Sequence, residues 1–188
     1  MPVKTIPHDL IAEQSVLGAM FLSKYAIEKA TETLTKKSFY DEKNGIIFQT
    51  IVDLYDKKTP IDLTTVTSEL NQTKHLQEVG NVEYLTEIIS IVPTAANVES
   101  YIKIVEDNAM LRSVIDTSTE IATLAYENEG EVTDVLDQVE QKIVKIIRNR
   151  RSSEFRSIQE VLGEVQKNLE KLAETKGEVT GIPTGWYE

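Results

Sequence analysis

The sequence predicts an all-α protein: a small helical globular head, a long antiparallel helical hairpin, and then a separate linker helix. Three observations lead there. Apolar residues recur at spacings of three and four along most of the chain, and the clean two-residue alternation of a half-buried strand is missing. Between Pro93 and Gly130 there is no further glycine or proline, so a single helix can run through that stretch.

The head is predicted over residues 1–97 as several short helices. In "PHDLIAEQSVLGAMFL", Leu10, Val16, Leu17, Met20 and Phe21 share a helical face, Asp9 is placed to cap it, and Glu13 lies near the positive helix end. Ile47, Phe48, Ile51, Val52 and Tyr55 make the next stripe. Asp62, after Pro60, can cap "LTTVTSEL", in which Leu63, Val66 and Leu70 align. Asn81, after Gly80, is read as the cap of a helix carrying Tyr84, Leu85, Ile88 and Ile89.

The hairpin is predicted over residues 98–148. Val98, Tyr101, Ile102, Val105 and Ala109, then Leu111, Ile115, Ile121, Ala122 and Ala125, form a stripe about eight turns long. "ENEGE" breaks it. Val132, Val135, Leu136, Val139, Ile143, Ile146 and Ile147 then give a second amphipathic helix, and a short glycine-containing loop between two such helices makes an antiparallel pair. The two stripes can pack on each other, or their outer residues, Ile115 and Ile121 among them, can meet another chain.

Residues 149–156 lack periodic apolar content and read as a basic hinge. Its cations suit the negative end of the preceding helix better than they suit nucleic acid, because aromatic residues for base stacking are nearly absent. Ser157 and Glu160 then open a linker helix over residues 157–176 with an S-x-x-E capping box. Its apolar face, Ile158, Val161, Leu162, Val165, Leu169 and Leu172, has little of its own chain to pack on, so it is predicted to dock elsewhere. The closing "EVTGIPTGWYE" has the glycines, proline and aromatic pair of a turn into a new packed unit, predicted to start at residues 177–188.

Composition bounds the function. With 188 residues, 40% of them hydrophobic, the chain can bury one sizeable core. It has no cysteine, which excludes disulfides and thiolate metal sites and fits a reducing compartment. "MPVKTIPHDL" has no apolar signal region, and no stretch approaches the roughly 18 apolar residues of a membrane span, so a soluble cytoplasmic protein is expected. The net charge of −11 argues against a surface that grips nucleic acid throughout. Basic residues gather late, nine against five acidic ones between residues 142 and 176.

Reactive groups are not apparent. His8 and His75 lie apart, without acidic or histidine neighbours at ligand spacing, and both read as surface residues. The acidic residues recur as solvated helix faces rather than as a catalytic pair. "GIPTG" is not followed by the lysine of a phosphate loop. No catalytic residue, metal site or cofactor is expected within these residues.

Seven segments nevertheless occur together in order: "AEQSVLGAMFL", "FY" at Phe39 and Tyr40, "PIDLTTVTSEL", "VEYLTEI", "VPTAANVESYIKIVEDNAMLR", "ATLAY" and "VTGIPTGW". Together they resemble the N-terminal portion of bacterial replicative DNA helicases, the DnaB family, over essentially the whole chain, with a likeness to helicases of low-GC Gram-positive bacteria or their phages. The resemblance implies a collar of a hexameric ring, assembled as a trimer of dimers through the hairpins. It implies a linker helix packed on the adjacent subunit's motor, and docking of a helicase loader and of primase through the primase C-terminal domain. Motif by motif, it points to Tyr84, Ile115 and Ile121 for the primase contact. It further implies that residues 177–188 open a RecA-like ATPase domain. That domain would use ATP and Mg to translocate 5′ to 3′ on single-stranded DNA, with the reading frame continuing past Glu188. A stand-alone helical adaptor for replication proteins is the alternative. Departures from the family pattern are Asn44 where relatives have histidine, Asn81 where many have glycine, and Trp186 where most have phenylalanine.

Overall fold

The computed structural model describes residues 5–127 and 131–152. The predicted linker-helix face (Ile158, Val161, Leu162, Val165, Leu169 and Leu172) and residues 177–188 lie outside the described residues. A compact unit runs to Arg150.

Among the described residues the regular structure is helical: α1 (Leu10–Leu22), α2 (Lys24–Thr33), a single 3-10 turn (Lys36–Ser38), α3 (Glu42–Asp56), α4 (Leu63–Gln72), α5 (Asn81–Ile91), α6 (Val98–Tyr126) and α7 (Val132–Ser152). The all-α prediction holds, and α2, which the sequence reading had not singled out, buries Ala26, Ile27 and Ala30 at helical spacing.

α1 is the centre of the head. It packs against α2, α3, α5 and α6, and residues 15–20 are buried without interruption, so it is enclosed on all sides rather than along one stripe. Its start is fixed as predicted, with the Asp9 carboxylate accepting from the Ala12 amide at 2.9 Å. Around it, Ile47 and Ile51 of α3, Val66 and Leu70 of α4, Leu85 and Ile88 of α5, and Val98, Ile102 and Val105 of α6 close the core. Asp62 caps α4 as expected, accepting from the Thr65 amide while the Thr65 hydroxyl accepts from the Asp62 amide.

The prediction for α5 is corrected. Gly80 takes the cap position with φ 93°, Asn81 is the first helical residue with φ 60°, and no side chain caps the helix. The Asn81 amide donates back to the Leu76 carbonyl at 2.9 Å. The chain turns too tightly there for an extended cap residue, and glycine and asparagine are the residues that accept left-handed backbone at little cost.

α6 spans 29 residues, the eight turns predicted, beginning at Val98 once the turn after Pro93 is complete. Its N-terminal half, as far as Arg112, is attached to the head and the remainder leaves it. α7 runs back beside it, with Lys142 donating to Glu120 across the pair, and the Lys142 ammonium holds the Glu120 carboxyl below its ordinary pKa. α7 continues through Ser152, so the start of the stretch read as a hinge is helical. Arginine is a good helix former, and nothing breaks the helix between Ile147 and Ser152.

α1 and α5 meet at a glycine. A Cβ on Gly18 would lie 2.6 Å from the Ile88 carbonyl oxygen and 2.8 Å from a Val92 methyl. Because the nearest obstacle is backbone, it cannot rotate away. Gly18→Ala is expected to destabilise by about 2–3 kcal/mol as α5 is pushed outward. In an uncrowded helix the same change would stabilise by roughly 1 kcal/mol. Thermal unfolding settles the sign.

Candidate functional site

The three residues singled out for a partner contact sit in different surroundings. Ile115 projects from α6 beyond the head and is 45% exposed; Ile121 is half-buried further along the same helix. Tyr84, in the first turns of α5, is half-buried, and burial raises its pKa. Its hydroxyl donates to the Asn44 side-chain oxygen at 2.8 Å and accepts from the Gln14 amide at 3.0 Å. The Lys43 ammonium lies 4.0 Å from the centre of its ring. Tyr84 is therefore largely committed to its own chain.

The group that organises this region is Glu13. It falls on the core face of α1, one turn before Val16 and Leu17, and is 1% exposed. One carboxylate oxygen accepts from the Tyr40 amide at 2.6 Å. The other accepts from the Asp41 amide at 3.3 Å and from the Asn44 side-chain nitrogen at 2.9 Å. A buried carboxylate is tolerated when charge-assisted hydrogen bonds of this kind surround it. Asn44, fully buried on α3, passes the chain of hydrogen bonds from Glu13 to Tyr84.

Arg112 of α6 approaches the same turn. Its guanidinium donates to the Pro7 carbonyl at 2.9 Å and to the Ser38 carbonyl at 2.6 Å, and it lies 5.8 Å from the centre of the Tyr40 ring. His8 stacks on Tyr40 with ring centres 4.2 Å apart. Burial lowers the Arg112 pKa, while the nearby Glu13 and Asp116 charges oppose that shift.

Sequence reasoning missed Glu13, Asn44 and Arg112 as a group. It assigned Glu13 to the helix dipole. A signal was present for Glu13 alone: it occupies position i of the stripe continued by Val16, Leu17 and Met20, where a carboxylate must be satisfied by tertiary partners.

Among the described residues no group of three or more histidine or acidic side chains is placed to hold a metal ion, and no helix is long and apolar enough to cross a membrane. A cleft of about 660 Å³, floored by Met20, Phe21, Ile27, Tyr55 and Ile61, involves no member of the Glu13 network. What the junction offers chemically is a braced apolar surface. Leu111, Val114 and Ile115 of α6 are exposed, as are Val132, Leu136, Ile143 and Ile147 of α7.

Residues 5–107 match the family described as DnaB-like helicase N terminal domain. The chain is 44% identical over 182 residues to the replicative DNA helicase DnaC of Bacillus subtilis, covering 97% of this chain and 40% of that protein. It is 42% identical to the replicative DNA helicase DnaB of Geobacillus stearothermophilus, again covering 97% and 40%. It thus spans about two fifths of the length of these relatives. Among solved structures, the N-terminal domain of DnaB helicase from Mycobacterium tuberculosis superposes with a TM-score of 0.72 at 38% identity, covering 75% of this chain and 99% of that one. The N-terminal domain of DnaB helicase from Helicobacter pylori, described together with its interactions with primase, shares the fold at a TM-score of 0.56 and 24% identity, covering 62% and 91%.

Proposed function

The chain belongs to the DnaB-like helicase N-terminal domain family, and from that premise we propose that it is the collar region of a hexameric replicative DNA helicase, assembling the ring and docking primase. The observation that carries this reading is the hairpin. Its two arms leave apolar side chains in water on both helices, at 45–60% exposure for Ile115, Leu136 and Ile143. A lone chain gains nothing from such a surface, and a repeated, symmetric assembly covers it. In this reading the α7 face meets a second copy, as a step towards a trimer of dimers. Ile115 and Ile121 on α6 receive the primase C-terminal domain, while Tyr84, bonded to Asn44 and Gln14 within the head, lies apart from them.

The rest of the parent's activity follows the same premise. A RecA-like motor domain after the linker helix would bind ATP and Mg, engage single-stranded DNA and unwind duplex DNA 5′ to 3′ in the cytoplasm, with a loader placing the ring. Ile158, Val161, Leu162, Val165, Leu169 and Leu172 would fasten each linker helix to its neighbour's motor. None of the described residues is assigned to ATP or Mg.

Titration of the 188-residue chain with the C-terminal domain of the cognate primase tests the docking. Native chain is expected to bind, and Ile115→Asp and Ile121→Asp to weaken binding by about 100-fold or more, because a charge enters a desolvated apolar contact. Ile115 is exposed, so circular dichroism should show that variant folded. Absence of binding by the native chain, or unchanged affinity in both variants, overturns the docking surface.

A further inference from the structure

α6 joins head and hairpin without a break, yet its apolar anchorage ends early. Among its described residues the buried ones are Val98, Ile102 and Val105, and none lies beyond. Two turns later Arg112 makes the last attachment of α6 to the head that a charged group provides among the described residues, donating to the Pro7 and Ser38 carbonyls. Two hydrogen bonds from one planar guanidinium to two different segments fix rotation about the helix axis as well as distance. Ile115 lies one turn further along.

The turn at residues 38–41 is thus held from two sides. Arg112 takes its carbonyl at Ser38, while Glu13 takes its amides at Tyr40 and Asp41. Glu13 is linked in turn through Asn44 to the Tyr84 hydroxyl. We propose that this turn is the joint through which α5 sets the attitude of the hairpin. Tyr84 is then a positioning residue whose hydroxyl acts on Ile115 through Asn44, Glu13, the turn and Arg112. Loss of the hydroxyl leaves the Asn44 side-chain oxygen without its donor, so the Asn44 NH2 holds Glu13 less firmly, and the Ser38 carbonyl and Arg112 shift together. Buried networks of this kind respond as units, because each hydrogen bond polarises the next in a medium of low dielectric. A ring that simply touched a partner would not need its hydroxyl spent internally.

The final arm of the test rests on the primase reading; the first does not. With isoleucine δ-methyl groups labelled, the Ile115 resonance is followed in the free 188-residue chain. Tyr84→Phe keeps the ring and its Lys43 contact, and Arg112→Lys keeps the charge while losing the fork. Both are expected to move the Ile115 methyl. Tyr55→Phe removes a matched hydroxyl, bonded to Glu28 outside the network, and should leave that methyl in place. Tyr84→Phe is then expected to weaken the primase C-terminal domain about fivefold, and adding Arg112→Lys should cost less than the two effects combined. An unmoved Ile115 methyl in both variants overturns the joint, as does a shift of equal size in Tyr55→Phe. Should one network variant fail to fold, the other decides. If native chain does not bind the primase domain, the docking reading fails while the methyl shifts still decide the joint.

Discussion

Replacing Glu13 with alanine is expected to lower the unfolding free energy by about 3–5 kcal/mol, the largest loss from any single side chain outside the apolar core. The carboxylate accepts from the Tyr40 and Asp41 amides, which are partly buried, and from the Asn44 side chain, which is fully buried. Removal leaves three donors without an acceptor, at roughly 1–3 kcal/mol each before relaxation. Water entering the vacated space recovers part of this. Arg112 also loses one of the two carboxylates, Glu13 and Asp116, that offset its burial. Glu13→Gln keeps the shape and one acceptor oxygen but turns an amide NH2 toward donors, so about half the loss is expected. Domains of this size are typically stable by about 5–15 kcal/mol. The alanine variant should therefore remain folded but unfold at much lower urea. A loss below about 1 kcal/mol in both variants would mean that solvent already satisfies those donors.

The contrast between Glu13 and its neighbours shows what the sequence made legible. Val16, Leu17 and Met20 announce a buried face by spacing alone, and Asp9 and Asp62 announce caps because their partners lie three residues away. Such signals are local, and the structure bears them out. Glu13 has its partners 27 to 31 residues away, on a turn and a helix that no periodicity in α1 can indicate. The same limit applies to Tyr84, whose bond to Asn44 spans 40 residues, and to Arg112, which reaches back 105 residues to Pro7. Asn81 was misread for a related reason. A capping residue and a left-handed turn residue are both well served by asparagine, and the choice depends on the Leu76 carbonyl that the turn brings into reach. The hairpin was visible because a helix of eight turns is a long-range object written in a short-range code.

That code also marks which hairpin residues face outward, and the second large effect follows from it. Along α7, Val135 and Val139 are half-buried, whereas Leu136 and Ile143 are exposed at 60% and 45%. The first pair is partly covered and marks the inner face of the hairpin; the second has no cover among the described residues. In the collar reading each exposed leucine or isoleucine that becomes buried against a second copy contributes about 1.5–3 kcal/mol. Leu136→Asp removes that contribution, and in a symmetric contact the change occurs twice, with two desolvated carboxylates brought towards one another. Every 1.4 kcal/mol is a factor of ten in the association constant. Self-association should accordingly weaken by at least about 100-fold, and sedimentation equilibrium should find single chains at concentrations where the native chain is dimeric or larger. Helical content should be unchanged, because the side chain already lies in water within one chain. Val135→Asp provides the opposite case. It strikes the inner face, so it should reduce helical content as well as mass, and only this difference separates loss of an interface from loss of the hairpin. If Leu136→Asp and the native chain sediment alike, then the Leu136 face of α7 is not the surface on which copies meet.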